Sequence, residues 1–245
     1  MSRLIPLASL FMLLVIWQAL AWWLHSPLLP GPPEVFSELF TAIRTGVLPY
    51  HLGITLTRLG VSFILAMSLG CILGILMGHH RSLDRWLDPW LTAFLNIPAL
   101  VTIILCYVWF GLTEAAAITA VVVNKLPNVA VTLREGTRQL DKQLLEMAQV
   151  YRFGRWKTLR HVIWPQLTPF VVTAARTGLA LIWKIILVVE LLGRSNGMGY
   201  QLHLFFQLFD VAAILAYTLA FVIVIQLFEW SVLQPLDHYA NRWRR

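Results

Sequence analysis

Charged side chains are scarce in this sequence. Asp, Glu, Lys and Arg account for 13% of its 245 residues, whereas apolar residues account for 58%. Soluble domains carry about 25% charged residues, so the balance excludes an ordinary soluble domain and predicts a membrane protein. The formal net charge of +7 indicates membrane orientation and contact with anionic lipid. No basic stripe with interleaved aromatic residues lies outside the apolar runs, and we expect no nucleic-acid partner.

Residues with catalytic or ligand-binding chemistry are also few. The cysteines Cys71 and Cys106 lie in the middle of apolar runs, where we expect neither a disulfide nor a metal site. The chain has no Gly-x-x-x-x-Gly-Lys-Ser/Thr phosphate loop, the usual cradle for a nucleotide. Its apolar runs contain no aspartate, and its histidines fall in loops or at the ends of these runs. We therefore expect no catalytic residues, no bound cofactor or metal, and no enzymatic activity.

Long apolar runs are abundant instead. A helix needs about 20 apolar residues to cross a bilayer, and six runs approach or exceed that length. They extend from Leu4 to Leu24, Leu59 to Gly78, Pro89 to Thr113, Ala115 to Leu133, Val162 to Val189 and Val211 to Phe228. Asn96-Ile97-Pro98 interrupts the third run, where we expect a break or kink. The sequence predicts an all-α polytopic membrane protein with six transmembrane helices, in which residues 1–245 form a single domain.

The distribution of Lys and Arg predicts the orientation, because loops rich in these residues stay in the cytoplasm. If both termini are cytoplasmic, the outer face keeps only Arg44 and Arg194. The inner face then carries Arg3, Arg81, Arg85, Arg134, Arg138, Lys142, Arg152, Arg155, Lys157, Arg160, Arg242, Arg244 and Arg245.

Two patterns predict how helices pack. Gly70, Gly74 and Gly78 recur every four residues, a spacing that lets helix backbones approach closely, either inside the subunit or between two subunits. The segment from Glu34 to Arg44 has apolar residues on one helical face, so it either lies in the outer membrane interface or packs on the bundle as a cap. For the inner turn around Asp84 we expect solvated side chains.

The longest polar stretch with helical periodicity, residues 134–166, falls on the cytoplasmic side. Asp141 is placed to cap a helix, and we expect Gly154 to end that helix in a left-handed conformation. A second short helix follows with Trp156 on its apolar side, and Pro165 is expected to stop it. Two short helices joined by a turn make a compact surface that a soluble partner can grip.

Here the sequence resembles the permease subunits of binding-protein-dependent ABC importers of the sulfonate, nitrate and taurine class. In that family an inner loop carries Glu-Ala-Ala, then a Gly, and a Pro nineteen residues after the Glu. This chain has Glu146, Met147, Ala148 and Pro165 in that register. It departs from the pattern at Met147, which replaces the first Ala, and at Arg152, which occupies the glycine position while Gly154 follows two residues later.

The resemblance implies a type I ABC importer permease in a bacterial cytoplasmic (inner) membrane. It implies partners as well: a second permease subunit, expected to be an identical copy, two cytoplasmic ATPase subunits that hold ATP and Mg, and a periplasmic or lipoprotein solute-binding protein. The solute would be an organic or inorganic anion such as a sulfonate or nitrate, or a small heteroaromatic precursor. Coupling to the ATPase would run through residues 141–165, with Glu146 and Ala148 at the contact and Gly154 setting the bend.

Charged residues inside the apolar runs are costly in a membrane and face a cavity or a partner. Arg176 and Lys184 lie about 80° apart on one helix, so they either line an anion pathway with Trp183 and Glu190, or Arg176 extends toward the inner surface and Lys184 pairs with a neighbouring helix. For Lys125 we expect a structural role, in which it bonds a carbonyl freed by Pro127.

A stand-alone secondary transporter or channel is the alternative function. It would need its own coupling-ion site and, in many such proteins, an internal repeat. The sequence shows no clear repeat, which favours the importer subunit.

Overall fold

The computed structural model describes residues 4–235, and all regular secondary structure in that range is helical. The helices are Leu4–Leu24 (α1), Pro32–Arg44 (α2), Val47–His79 (α3), Arg81–Asn96 (α4), Ala99–Phe110 (α5), Glu114–Arg138 (α6), Lys142–Val150 (α7), Arg155–Thr158 (α8), Trp164–Gly193 (α9), Met198–Leu208 (α10) and Val211–Phe228 (α11). Wide π-helical turns cover Leu159–Ile163 and Glu229–Leu233. Of the basic residues used to predict orientation, Arg3, Arg242, Arg244 and Arg245 lie outside the described residues.

The number of membrane spans follows from helix length and composition. Four helical runs are long and apolar enough to cross a membrane: Val47–His79, Glu114–Arg138, Arg155–Gly193 and Val211–Ser231. The helices α4 and α5 meet at a bend of 100°, and they make a fifth span if the pair crosses the membrane rather than re-entering it. The bend lies at Ile97 and Pro98, which confirms the predicted break. The first predicted span, Leu4 to Leu24, is helical along its whole length as α1. The all-helical, multi-span fold class is confirmed.

The chain folds into two compact units. One comprises the described residues up to Thr55 together with Glu190–Leu227, and the other comprises Leu56–Val189 with the described residues from Phe228 onward. The first unit holds α1, α2, α10 and most of α11. The second holds α4 to α8 and the greater part of α3 and α9.

In the second unit, the glycines of α3 lie against α6. A Cβ atom added to Gly74 would lie 2.4 Å from the Ala130 carbonyl oxygen, and one on Gly70 would lie 2.6 Å from the Val129 Cβ. Gly78 faces Thr137 in the same way. The predicted packing face therefore lies inside the subunit.

Near the C-terminal end of α6, ion pairs link α6 to α4. Arg134, whose side chain is 12% exposed, bonds Asp88 and lies 3.3 Å from Asp84 and 3.1 Å from Glu135. Arg138 adds bonds to Asp84 and Glu135. The prediction of a solvated turn is wrong for Asp84, because its carboxylate accepts from two guanidinium groups of another helix. Among the described residues no cluster is suited to a metal ion.

In the first unit, α2 presents an apolar stripe to its surroundings. Phe36, Phe40 and Ile43 are 49%, 66% and 49% exposed, whereas Val35 and Ala42 are buried. The helix thus packs on its unit with one face and offers aromatic side chains with another, as an interfacial helix does. Nearby, the indole of Trp17 donates a hydrogen bond to the Pro30 carbonyl at 3.0 Å.

Candidate coupling segment and buried polar sites

The polar segment between α6 and α9 forms α7, as the sequence predicts. The Asp141 carboxylate caps this helix by accepting from the backbone N–H groups of Gln143 at 2.8 Å and Leu144 at 3.4 Å. The Asp141 N–H in turn donates to the Gln166 side chain at 2.8 Å. Since Gln166 belongs to α9, this bond ties the entry of the segment to its exit.

The end of α7 differs from the prediction. The left-handed residue is Arg152, with φ of 49°, whereas Gly154 is extended, with φ of −64° and ψ of 157°, and precedes α8 as its N-cap. The Phe153 N–H donates to the Ala148 carbonyl and the Arg152 N–H to the Gln149 carbonyl, at 2.8 and 2.9 Å. These two bonds close a helix end that normally has glycine at the left-handed position. The predicted role of Gly154 is wrong, because Arg152 makes the turn itself.

Pro165 does not stop the second helix, which is a further correction. The run Arg155–Gly193 is continuous, with the π-helical turn Leu159–Ile163 just before the proline. There the Trp164 N–H donates to the Leu159 carbonyl, five residues back. Proline clashes with a carbonyl four residues back in a regular helix, and the wider turn relieves that clash. The chain therefore enters α9 without a loop.

The segment exposes a mixed apolar and charged surface. Glu146 is exposed, Met147 is 38% exposed, and Val150, Tyr151 and Trp156 are 78%, 72% and 72% exposed. Ala148 is 1% exposed, so the expected contact between Ala148 and an ATPase is wrong for this conformation. The small side chain instead lets α7 pack closely.

Both predicted pathway cations are exposed on α9. The Arg176 guanidinium lies 3.3 Å from a Glu229 oxygen, with 48% of its side chain exposed. The Lys184 ammonium lies 5.4 Å from the Trp183 ring centre. Thr173 and Thr177 are also exposed on α9. A helix that shows hydroxyls and cations at membrane depth faces a cavity or a partner rather than lipid.

Glu190, the fourth predicted pathway residue, is fully buried and anchors the start of α10. Its carboxylate accepts from the Gly199 N–H at 2.9 Å and from the Thr55 hydroxyl at 2.9 Å. The Thr55 oxygen accepts from the Met198 N–H at 2.8 Å. Glu190 thus faces away from lipid, as predicted, and its carboxylate bonds one backbone N–H group of α10 and the Thr55 hydroxyl of α3.

His51 completes this anchor. Its Nδ1 accepts from the Gly197 N–H at 2.9 Å, and its Nε2 lies 2.7 Å from the Gln201 amide nitrogen. Three successive N–H groups at the start of α10, which lack partners inside the helix, are therefore satisfied by three side chains. Sequence reasoning did not assign His51, Thr55 or Gln201, because their partners are 135 to 150 residues away.

Two more polar residues of the second unit were not assigned to a functional site. Arg58 is buried and forms a bidentate ion pair with Glu114. Its Nε donates to Oε2 at 2.8 Å, and its Nη2 donates to Oε1. Lys125 is 2% exposed. Within residues 4–235 no hydrogen bond or ion pair involves Lys125, so the expected bond to a carbonyl freed by Pro127 is not formed.

The sequence of this chain is similar to those of known transport proteins. The family model described as "binding-protein-dependent transport system inner membrane component" matches residues 66–240. The taurine transport system permease protein TauC of Escherichia coli is 28% identical over 206 residues, which cover 81% of this chain and 75% of TauC. The riboflavin transport system permease protein RibX of Chloroflexus aurantiacus is 31% identical over 238 residues, 96% of this chain and 88% of RibX.

A solved structure shares the fold. A chain of the MetNI methionine ABC transporter, in an inward-facing conformation, superposes with a TM-score of 0.67 at 18% identity. The alignment covers 81% of this chain and 97% of that chain. At this identity the likeness concerns the fold alone, and it confirms the predicted permease fold.

Proposed function

The chain belongs to the inner membrane components of binding-protein-dependent transport systems, and we propose that it forms the translocation pathway of an ATP-driven importer and couples that pathway to a cytoplasmic ATPase. The observation that carries the proposal is the segment from Asp141 to Pro165. It is capped, tied to α9 through Gln166, and exposes Met147, Tyr151 and Trp156 beside charged groups. The chain itself is a multi-pass inner-membrane protein.

The proposed assembly contains two copies of this chain, two ATPase subunits and one solute-binding protein. ATP and Mg are held by the ATPase, and this chain is a non-enzymatic subunit. Exposed aromatic and apolar side chains are typical of the centre of a protein interface. Glu146 and Met147 of α7 contact the ATPase, while Arg152 and Gly154 shape the turn that follows and Pro165 lies where the segment enters α9.

Transport in this scheme is a linked equilibrium. ATP closes the ATPase dimer, and the closure shifts the spans between inward-facing and outward-facing states. A ligand shifts such an equilibrium only by its difference in affinity for the two states. The coupling segment must therefore fit the ATPase better in one state than in the other.

The solute pathway runs along the exposed face of α9. Arg176, Trp183 and Lys184 belong to this face or flank it, and Thr173 and Thr177 add hydroxyls. Cations and hydroxyls favour a small anion such as a sulfonate or nitrate, which agrees with the taurine relative. The riboflavin relative supports a small heteroaromatic solute as the second candidate.

Charge reversal at Glu146 tests the function. Glu146→Lys should abolish co-purification of the co-expressed ATPase and abolish uptake, while the melting temperature Tm of the permease stays unchanged because Glu146 is exposed. Glu34→Lys, an exposed charge reversal on α2, is the matched control and should keep both properties. Retained association and uptake in Glu146→Lys would contradict the proposal and favour a stand-alone transporter. Calorimetry on the neighbouring binding protein would identify the solute.

A further inference from the structure

Lys125 lies at the middle of its membrane span. It follows Glu114, the first residue of α6, by 11 residues and precedes Arg138, the last, by 13. At 1.5 Å per residue these separations are about 17 and 20 Å along the helix axis. A lysine at this depth cannot easily place its ammonium group in water at either membrane surface.

Three other cations of the second unit have acidic partners. Arg58 pairs with Glu114, Arg134 with Asp84, and Arg176 with Glu229. Lys125 is more buried than any of these three, yet no carboxylate or carbonyl of the described residues bonds it. A cation inside a membrane is retained where a functional partner meets it, and here residues 4–235 supply no such partner.

The neighbouring helices leave room for the lysine stem. A Cβ atom on Gly178 of α9 would lie 3.3 Å from the Lys125 Cε and 3.7 Å from the Phe63 ring. The end of the side chain thus lies where α3, α6 and α9 meet. Thr177, next to Gly178, is exposed on the face of α9 assigned to the pathway. Gly178 itself is buried, so the lysine terminus lies on the packed side of α9, one residue away from that face.

We propose that Lys125 is the counter-charge for the anionic group of the solute at the middle of the membrane. A passing sulfonate, nitrate or carboxylate would supply the acceptor oxygens that the described part of the chain does not. This inference rests on the proposed transport function and assigns the solute class to anions, since a neutral heteroaromatic solute would leave the ammonium group unpaired.

A stability measurement separates this role from a structural one. In the purified permease–ATPase complex, Lys125→Met should raise the Tm of the permease by about 2–4 °C, because it removes a buried charge without a protein partner. Lys125→Arg keeps the charge, and Leu126→Met, one residue further on α6, controls for the methionine substitution. A lower Tm for Lys125→Met than for Leu126→Met would show that Lys125 has a structural partner and would overturn the proposal.

Anion binding is measured on the same complex. At constant ionic strength, ethanesulfonate or nitrate should raise the Tm of the wild-type complex and of Lys125→Arg but not of Lys125→Met. Uptake of the anionic probe should fall about 10-fold or more in Lys125→Met. An equal shift in Lys125→Met, or no shift in the wild type with either probe, would contradict the proposal. Co-purification of the ATPase, which Lys125→Met should preserve, reports separately on the proposed transport function.

Discussion

The carboxylate of Glu190 fills the space that a side chain on Gly197 would need. Its Cδ lies 2.3 Å from the position of a Cβ atom on Gly197, and both carboxylate oxygens lie within 2.5 Å of it. Gly197 also has φ of 107° and ψ of 170°, a conformation essentially restricted to glycine. The pair joins the outer end of α9 to the start of α10, so neither residue can change without disturbing the anchor.

Gly197→Ala should therefore destabilise the permease by about 3 kcal/mol or more, the sum of backbone strain and overpacking. Thermal unfolding of the detergent-purified chain measures the change. Gly53→Ala is the matched control, because Gly53 lies inside α3 with nothing within 4 Å of an added Cβ. It should be neutral or stabilising, since alanine is the better helix former. Equal Tm values for the two variants would show that a side chain at position 197 does not clash with the Glu190 carboxylate.

Arg152→Gly should stabilise the coupling segment by about 1 kcal/mol, because a left-handed conformation costs a residue with a Cβ roughly that amount. A higher Tm and slower proteolysis after α7 are the expected results. Gly154→Ala serves as the control and should be tolerated, because Gly154 is extended and has open space around it. If Gly154→Ala destabilises the segment and Arg152→Gly does not stabilise it, the assignment of the turn is wrong.

Gly74→Ala should separate α3 from α6, because the added methyl group would lie 2.4 Å from the Ala130 oxygen. Overpacking of this kind costs about 1–3 kcal/mol, and unfolding in denaturing detergent measures it. Gly60→Ala, in the same helix but with nothing within 4 Å, should not destabilise the chain. Similar losses in both variants would mean that the glycines act through helix propensity rather than through packing.

Arg134→Leu should cost about 1–3 kcal/mol, because it removes charge-assisted hydrogen bonds from Asp84, which is 16% exposed and keeps Arg138, and from Asp88, which is 52% exposed. Arg85→Leu removes an exposed arginine that bonds only a backbone carbonyl, and surface changes of this kind stay within about 0.5 kcal/mol. The comparison uses the Tm of both variants. An Arg134→Leu protein as stable as Arg85→Leu would show that the ion pairs contribute little.

Features encoded by neighbouring residues could be predicted from the sequence. The break at Ile97 and Pro98 and the cap at Asp141 each depend on a few adjacent residues, and both were correct. Because glycine is the usual left-handed residue, the sequence pointed to Gly154. The helix ends two residues earlier, and the backbone bonds of Arg152 and Phe153 compensate for the unusual residue.

The buried polar sites could not be predicted, because their partners are distant in the chain. His51 and Gly197 are 146 residues apart, and Arg58 and Glu114 are 56 apart. Hydropathy alone predicted that Glu190 avoids lipid, but not which groups it would bond. For Lys125 the nearby proline suggested a carbonyl partner, whereas the space beside the lysine depends on Gly178 of another helix.

The π-helical turn before Pro165 has a mechanical consequence. It makes Arg155–Gly193 one continuous helix of 39 residues, about 58 Å long, with no loop between the coupling segment and the membrane span. A tilt of about 10° imposed at its cytoplasmic end would displace a point 40 Å further along by about 7 Å if the helix stays straight. A small rotation of the ATPase surface that contacts Trp156 would thus move the helix at the depth of Lys184 by a distance as large as the width of a small anion.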